Sequence, residues 1–211
     1  MAVDTPQPVH RLPRVQRREQ ILSAATEAFA RNGFAATSLD DIAAEAGITR
    51  VLLYRHFDSK TDLYQAVLDR MCARLDAHVP EPVGGFTDAS IDGLLEAAAE
   101  SPAGFRLLFK HAMREPGFKD CIEKFRAGTT AAAFRQISAL VPDEGLARWA
   151  AQLAPTVAIE SVIAWLDAGQ PDPARAAARV RQAVMGVIGA AAAVDGDCSF
   201  PNPANTEGPA S

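Results

Sequence analysis

The side chains best suited to binding chemistry in this chain are basic and aromatic, and they fall into two groups near its start. One group consists of Arg11, Arg14, Arg17 and Arg18. The other lies within residues 50–60 and consists of Arg50, Tyr54, Arg55, His56 and Lys60. Guanidinium, ammonium, hydroxyl and imidazole groups contact phosphate oxygens, and a local basic surface displaces counterions from DNA. The chemistry therefore predicts DNA binding at this end, with a merely solvated arginine tail as the alternative.

The charge distribution agrees with a basic end on an acidic protein. The chain of 211 residues carries a formal net charge of −5. Residues 1–60 contain eight Arg and Lys against seven Asp and Glu, whereas residues 61–211 contain 13 against 19. We therefore expect the acidic remainder to face away from DNA.

Residues 37–60 must position the second group, and they have the pattern of two short helices joined by a glycine turn. Ser38 or Thr37 can cap the first helix. Gly47 can adopt the left-handed conformation that ends it, and Thr49 can cap the second helix. The apolar residues that point inward are Leu39, Ile42, Ala43, Ala46, Leu53 and Phe57. This is the layout of a helix-turn-helix, whose second helix lies in the major groove.

The same residues resemble the DNA-binding end of the TetR (tetracycline-repressor) family of bacterial transcriptional regulators. The resemblance begins near Arg17 with RREQILSAATEAFARNGFAATSLDDIAAEAG and continues with LYRHF at residues 53–57 and SKTDLYQAV at residues 59–67. It covers about the first 65 residues, and beyond residue 70 only a general layout is shared. The resemblance implies a repressor that binds a near-palindromic operator as a homodimer and is released by a small-molecule effector.

The resemblance also assigns roles to single residues. The positions that make or flank DNA contacts match Arg50, Val51, Leu52, Tyr54, His56 and Lys60. Phosphate contacts are implied for Tyr54, His56 and Lys60, and also for Thr37 at the start of the preceding helix. The full expected DNA-binding set adds Arg14, Arg17, Thr49 and Arg55. The alternatives are that the Tyr54 ring only covers the core, that His56 donates to a helix-end carbonyl, and that Lys60 is only solvated.

Base recognition is expected from Arg50, because a guanidinium can pair with guanine through two hydrogen bonds. The chain departs from the family pattern at the next two positions. Val51 stands where glycine is frequent, and Leu52 where a small or polar residue is frequent. These side chains can touch a thymine methyl group or pack inward, so the operator sequence does not follow from them.

The rest of the chain predicts an all-α fold of about nine helices. We expect a disordered basic arm at residues 1–13, a helix-turn-helix domain at 14–60, a helical effector-binding and dimerisation domain at 61–194, and a disordered tail at 195–211. The helices after the motif are expected at 60–79, 88–99, 102–113, 117–140, 143–168 and 173–194. Ser101 and Asp172 are expected to cap the helices that follow them, and Pro155 to kink or break its helix.

Two surfaces are expected in the second half. Large apolar side chains can line a pocket for a largely apolar effector, although each is equally a core residue: Phe105, Phe109, Met113, Phe125, Phe134, Trp149 and Trp165. Residues 183–194 carry no polar side chain, and a helix that is apolar all round must be buried all round. A second copy of the chain is the expected partner, through Ile163, Val184, Val187, Ile188 and Ala191. The alternative is burial within one subunit.

Other function classes lack support in the sequence. There is no phosphate loop, nucleophile elbow or metal-binding spacing, so we expect no enzyme activity, no catalytic residues, no cofactor and no metal. Cys72, Cys121 and Cys198 are odd in number and form no CxxC pair, which predicts neither a disulfide framework nor a zinc site and fits the cytoplasm. Residues 183–194 are too few to span a membrane. The remaining alternatives are an activator or nucleoid-type binder, a helical small-molecule-binding protein that has lost DNA binding, and an enzyme on a helical scaffold.

Overall fold

The expected all-α architecture is confirmed. A computed structural model describes residues 12–79, 87–112, 115, 118 and 120–193, the side chains of 120 and 121 excepted, and contains nine α-helices and no strand within them. The helices are α1 (Arg14–Ala36), α2 (Leu39–Glu45), α3 (Arg50–Tyr54), α4 (Lys60–His78), α5 (Asp88–Glu100), α6 (Pro102–Arg106), α7 (Asp120–Ile137), α8 (Glu144–Asp167) and α9 (Pro173–Ala192). Most of the expected arm at 1–13 and the whole tail at 195–211 lie outside the described residues.

The first three helices form the expected helix-turn-helix because their caps and turns are local. Ser38 caps α2 in a reciprocal capping box with Asp41, whose pKa is lowered by the hydrogen bonds from Ser38. Gly33 and Gly47 have φ of 76° and 63°, values that a glycine adopts without steric cost. Gly33 thereby ends the regular part of α1. The buried side chains between the three helices include Ile21, Phe29, Ile42, Leu53 and Phe57.

Helix α4 is shared between the two halves of the chain. Its first turns bury Leu63, Tyr64 and Val67 in the same core as α1. The Tyr64 ring packs edge-on to Phe29 at 4.8 Å and to Phe118 at 4.7 Å between ring centroids. Phe118 precedes α7, so one aromatic cluster joins the DNA-binding end to the second half. The hydroxyl of Tyr64 is buried with no hydrogen-bond partner among the described residues, and burial raises its pKa to about 12.

The second half is a bundle in which α8 packs between α7 and α9. Helix α8 continues through Pro155, so a break there is wrong, and the kink given as the other possibility stays a prediction. Proline removes one backbone hydrogen bond, and packing against α7 and α9 holds the helix across the gap. Among the described helices α8 is long and apolar enough to cross a membrane by length and composition, but it is a core helix of the bundle, with half of its most apolar window buried.

Three local expectations differ from the structure. Ser101 and Asp172 stand at the N-cap positions of α6 and α9, yet neither side chain makes a capping hydrogen bond. The helix expected at 102–113 is α-helical only through Arg106 and continues as a π-helical turn, Leu107–His111. Cys72 is disulfide-bonded, which the sequence did not predict.

Candidate nucleic-acid interface and a cleft in the second half

One face of helix α3 is exposed to solvent, and it carries both polar and apolar side chains. Thr49 caps it by accepting a hydrogen bond from the Leu52 backbone N–H, as expected. Leu53 points inward and is fully buried, whereas Val51 is 66% exposed and Tyr54 is 42% exposed. The alternatives that Tyr54 only covers the core and that Val51 packs inward therefore do not match their placement. Leu52 is half-buried.

Arg50 lies on the same exposed face and is held by two neighbours. Its Nη1 donates to Oδ2 of Asp40 on α2 at 2.8 Å, and its Nη2 donates to the Tyr54 hydroxyl at 3.2 Å. A guanidinium has five N–H donors, so three remain for another partner. Two are enough for a bidentate contact with a guanine.

The start of α1 lies beside the end of α3. Arg18 donates to the His56 carbonyl oxygen at 3.2 Å, and its guanidinium lies 4.3 Å from the centre of the Phe57 ring. Partial burial, then the positive charges of Arg14, Arg18 and Arg17, lower the pKa of His56. The structure therefore brings Arg14, Arg17 and Arg18 of the first group beside His56 of the second, whereas Arg11 lies outside the described residues. Arg55 is exposed at the end of α3.

Two residues expected to contact phosphate are engaged elsewhere. The Thr37 side chain is buried, and its hydroxyl donates to the Gly33 carbonyl at 2.7 Å. The Lys60 ammonium donates to the carbonyls of Phe34 at 2.9 Å, Ala35 at 3.3 Å and Thr37 at 3.0 Å. An ammonium has three donors, and all three are used. Lys60 thus holds the end of α1, where unpaired carbonyls need donors.

Comparison with known proteins decides the family. Residues 21–67 match the model for "Bacterial regulatory proteins, tetR family". The transcriptional activator FasR of Mycolicibacterium smegmatis is 33% identical over 173 residues, which cover 77% of this chain and 78% of that protein. The chain belongs to the TetR family. The transcriptional repressor SCO4008 of Streptomyces coelicolor is 35% identical over 99 residues, 46% of this chain and 50% of that protein.

The fold of this TetR-family regulator also has solved relatives. A TetR-like transcriptional regulator from Rhodococcus sp. RHA1 matches with a TM-score of 0.70 at 23% identity, covering 83% of this chain and 97% of that one. The ketosteroid regulator KstR2 of Mycobacterium tuberculosis matches with a TM-score of 0.63 at 22% identity, covering 82% and 94%. At these identities the likeness concerns the fold.

The aromatic residues expected to line one pocket are not brought together by the structure. The Phe109 ring contacts Phe105 in a tilted arrangement and Phe125 edge-on, with centroids 4.7 and 5.9 Å apart. Phe134 lies under Arg148, Trp149 is 47% exposed, and Met113 lies outside the described residues. The Trp165 indole donates to the Pro171 carbonyl at 2.9 Å. The size of an aromatic side chain in the sequence therefore does not indicate whether it lines a pocket or packs in the core.

A cleft of about 400 Å³ has a different lining, between α5, α7, α8 and α9. Its walls are aliphatic, with Ile91, Ile137, Val184 and Ile188 among them. At its rim Arg181 pairs with Asp92 at 3.0 Å and lies 3.9 Å from Asp88. These residues come from four separate helices, so the spacing along the sequence gave no sign of the cleft.

The residues expected at a dimer interface divide into two sets. Ile163, Val184 and Ala191 are buried within their own subunit and have little surface left for a partner. Val187 and Ile188 are half-buried. The outward side of α9 instead carries small or flexible residues: Ala183, Met185, Gly186, Gly189 and Ala190. Residues 183–194 are therefore not buried all round in the single chain, within the part described.

Metal binding has no assembled site among the described residues. They contain no group of three or more His, Cys, Asp or Glu side chains that could hold a metal ion. The acidic pair at 143–144 stabilises the start of α8: Asp143 accepts from the Leu146 N–H at 2.8 Å, and Glu144 lies in the first turn.

Proposed function

We propose that this chain is an operator-binding transcriptional repressor that acts as a homodimer in the cytoplasm and responds to a largely apolar small molecule. The observation that carries the DNA-binding part is the exposed face of α3, where Arg50, Val51 and Tyr54 point outward beside a basic surface from α1. Arg50 reads a base, and Val51 contacts a thymine methyl group. Arg14, Arg17, Arg55 and Tyr54 bind phosphate and set the register on the duplex.

A selection from random duplexes tests this function. The full chain is used to enrich bound sequences, and affinity is then measured for the enriched duplex and a scrambled one at several salt concentrations. We expect a near-palindromic sequence with half-sites about one helical turn apart. A reporter gene carrying that operator at its promoter should be repressed. If no sequence is enriched, the chain is a small-molecule-binding protein that does not recognise DNA. If the reporter is activated, the chain is an activator and not a repressor.

We assign the effector to the cleft between α5, α7, α8 and α9. Aliphatic walls favour an apolar molecule, and the rim pair of Arg181 and Asp92 offers polar contacts for one end of it. An anilinonaphthalene dye serves as the probe. Gln136→Trp, which fills the cleft from the exposed side of α7, should abolish dye binding. Ala131→Trp, in the separate groove beside Phe134, should not. Equal dye binding by both variants would place the apolar site elsewhere.

The dimer is assigned to the outer faces of α8 and α9. Leu146 and Trp149, one turn apart on α8, are 44% and 47% exposed, and neighbouring exposed apolar side chains mark an interaction surface. Gly186 and Gly189 let a neighbouring helix approach closely. A two-fold axis through this face would present two α3 helices to a palindromic operator.

A further inference from the structure

We infer that Asp40 is a specificity-determining residue: its carboxylate positions Arg50 for base reading and lowers affinity for DNA that Arg50 does not recognise. The inference rests on the proposed function and deepens it. The carboxylate lies on α2, outside the reading helix, and its distance to Arg50 Nη1 is 2.8 Å.

Asp40 lies in the first turn of α2, where an acid suits the helix dipole, but the capping hydrogen bonds of α2 do not use it. Ser38 and Asp41 close the capping box, with Asp41 Oδ2 accepting from the Ser38 N–H at 3.0 Å. The Asp40 side chain is 62% exposed and turned to α3. An exposed pair of this kind contributes little to stability. We therefore expect Asp40 to matter for DNA binding, because it lies beside Arg50, the expected base-reading residue.

The first consequence concerns geometry. A free arginine side chain has many rotamers, and a bidentate contact requires one plane of the guanidinium. Asp40 holds Nη1 and the Tyr54 hydroxyl holds Nη2 at 3.2 Å, so the plane is fixed before DNA arrives. Because these contacts use two of the five N–H donors, a guanine can still be bound with the others.

The second consequence concerns charge. When Arg50 meets its base, the carboxylate keeps a cationic neighbour and the interface stays balanced. When the base is wrong, Arg50 stays paired with Asp40 as in the free protein, so its charge is offset and adds little attraction to the phosphates. Asp40 therefore penalises non-cognate DNA more than the operator.

The test compares Asp40→Asn with wild type on the selected operator, on its single-base variants and on a scrambled duplex. We expect the scrambled duplex to bind about 3–10-fold more tightly, since the charge of Arg50 is then no longer offset. Discrimination at the base pair read by Arg50 should fall by a similar factor. Asp40→Glu, which keeps the charge, should retain most of the discrimination. Thermal melting checks that each variant folds.

Two further variants separate this role from a structural one. Glu45→Gln removes a carboxylate from the other end of α2, where it pairs with Arg31 on α1, and should leave both affinities unchanged. In an Arg50→Ala background, Asp40→Asn should tighten all duplexes equally and leave base choice unaltered. If wild type selects an operator and Asp40→Asn keeps its ratio of specific to scrambled affinity, the inference is overturned while the proposed function stands. If wild type selects no sequence, both fall.

Discussion

Arg50 and Tyr54 lie side by side on α3, yet we expect their replacement to have different effects. Arg50→Ala should relax the choice of base at one position, at a cost of about 1–3 kcal/mol on the operator. Tyr54→Phe removes a hydroxyl that binds phosphate and also accepts from Arg50 Nη2, so it should weaken binding to every duplex and reduce base discrimination only in part. Gel shifts on the operator and its variants measure both. An equal loss on every duplex for Arg50→Ala would show that Arg50 is not the base reader.

Lys60 is expected to affect folding and not DNA binding. Its ammonium satisfies three carbonyls at the end of α1 and lies 4.5 Å from the centre of the Phe34 ring. Lys60→Met keeps the length of the side chain and leaves these carbonyls without donors. We expect the free energy of unfolding to fall by about 1–3 kcal/mol. Chemical denaturation measures it.

The salt dependence of DNA binding is the control for this variant. If Lys60 contacted phosphate, Lys60→Met would reduce the slope of log affinity against log salt by about one. We expect the slope to stay at the wild-type value. If Lys60→Met reduced this slope without changing the free energy of unfolding, Lys60 would be a phosphate contact.

At the scale of helices, the close approach of α5 to α4 depends on a missing side chain. A Cβ atom at Gly93 would lie 2.0 Å from the His78 carbonyl oxygen, which belongs to the backbone and cannot rotate away. Gly93→Ala should therefore destabilise the fold by about 1–3 kcal/mol through overpacking. Gly128→Ala, on an open face of α7, should stabilise it by about 0.4–1 kcal/mol. If Gly93→Ala and Gly128→Ala changed the thermal midpoint by the same amount, α5 would not approach α4 as closely as the structure shows.

The ends of α4 and α5 are also joined by a titratable pair of contacts. His78 lies 3.3 Å from Glu96 and 2.9 Å from Glu100, and hydrogen bonding to Glu100, then Glu96, raises its pKa, against partial burial. Arg74 pairs with Glu100 at 3.3 Å. Because the folded pKa lies above the unfolded value of about 6.5, this stabilisation is fully present below pH 6.5 and is lost as pH rises through the folded pKa.

We therefore expect His78→Gln to lower the thermal midpoint most between about pH 5 and 6.5, where the carboxylates are still ionised. The difference from wild type should shrink at alkaline pH. Glu96→Gln should reduce this pH dependence in part. A difference that is independent of pH would mean that the imidazolium form does not stabilise the junction.

Helix positions followed from the sequence because their signals are local. The Ser38–Asp41 capping box, Gly33 and Asp143 lie within a few residues of the helix ends they define. Side-chain partners did not follow in the same way. Lys60 meets carbonyls 23 to 26 residues earlier in the chain, and Arg50 meets Asp40 across a turn. Such contacts depend on how the helices cross, which the helical periodicity does not encode.

At the scale of the whole molecule, the outer face of α9 is where a charge should separate two subunits. A Cβ at Gly189 has nothing within 4 Å in the single chain, so Gly189→Arg can fold without strain. In a dimer the same arginine would be buried without a partner, which is costly. We expect Gly189→Arg to sediment as a monomer and to lose operator binding. Gly128→Arg, on α7, should remain dimeric. A Gly189→Arg dimer that binds DNA normally would remove this face from the interface.

The aromatic cluster of Phe29, Phe34, Tyr64 and Phe118 limits how this regulator can be recombined with others. Consider a chimera in which the residues before 60 come from the DNA-binding domain of another regulator. It would separate Phe29 and Phe34 from Tyr64, whose ring centroid lies 4.8 Å from that of Phe29. A junction after α4 would keep Tyr64 but replace Phe118, 4.7 Å away. A DNA-binding unit transferred between regulators should therefore include α1 to α4 and the aromatic residue at the position of Phe118, before α7, that packs against it. Engineers who exchange specificities within the family should carry both parts.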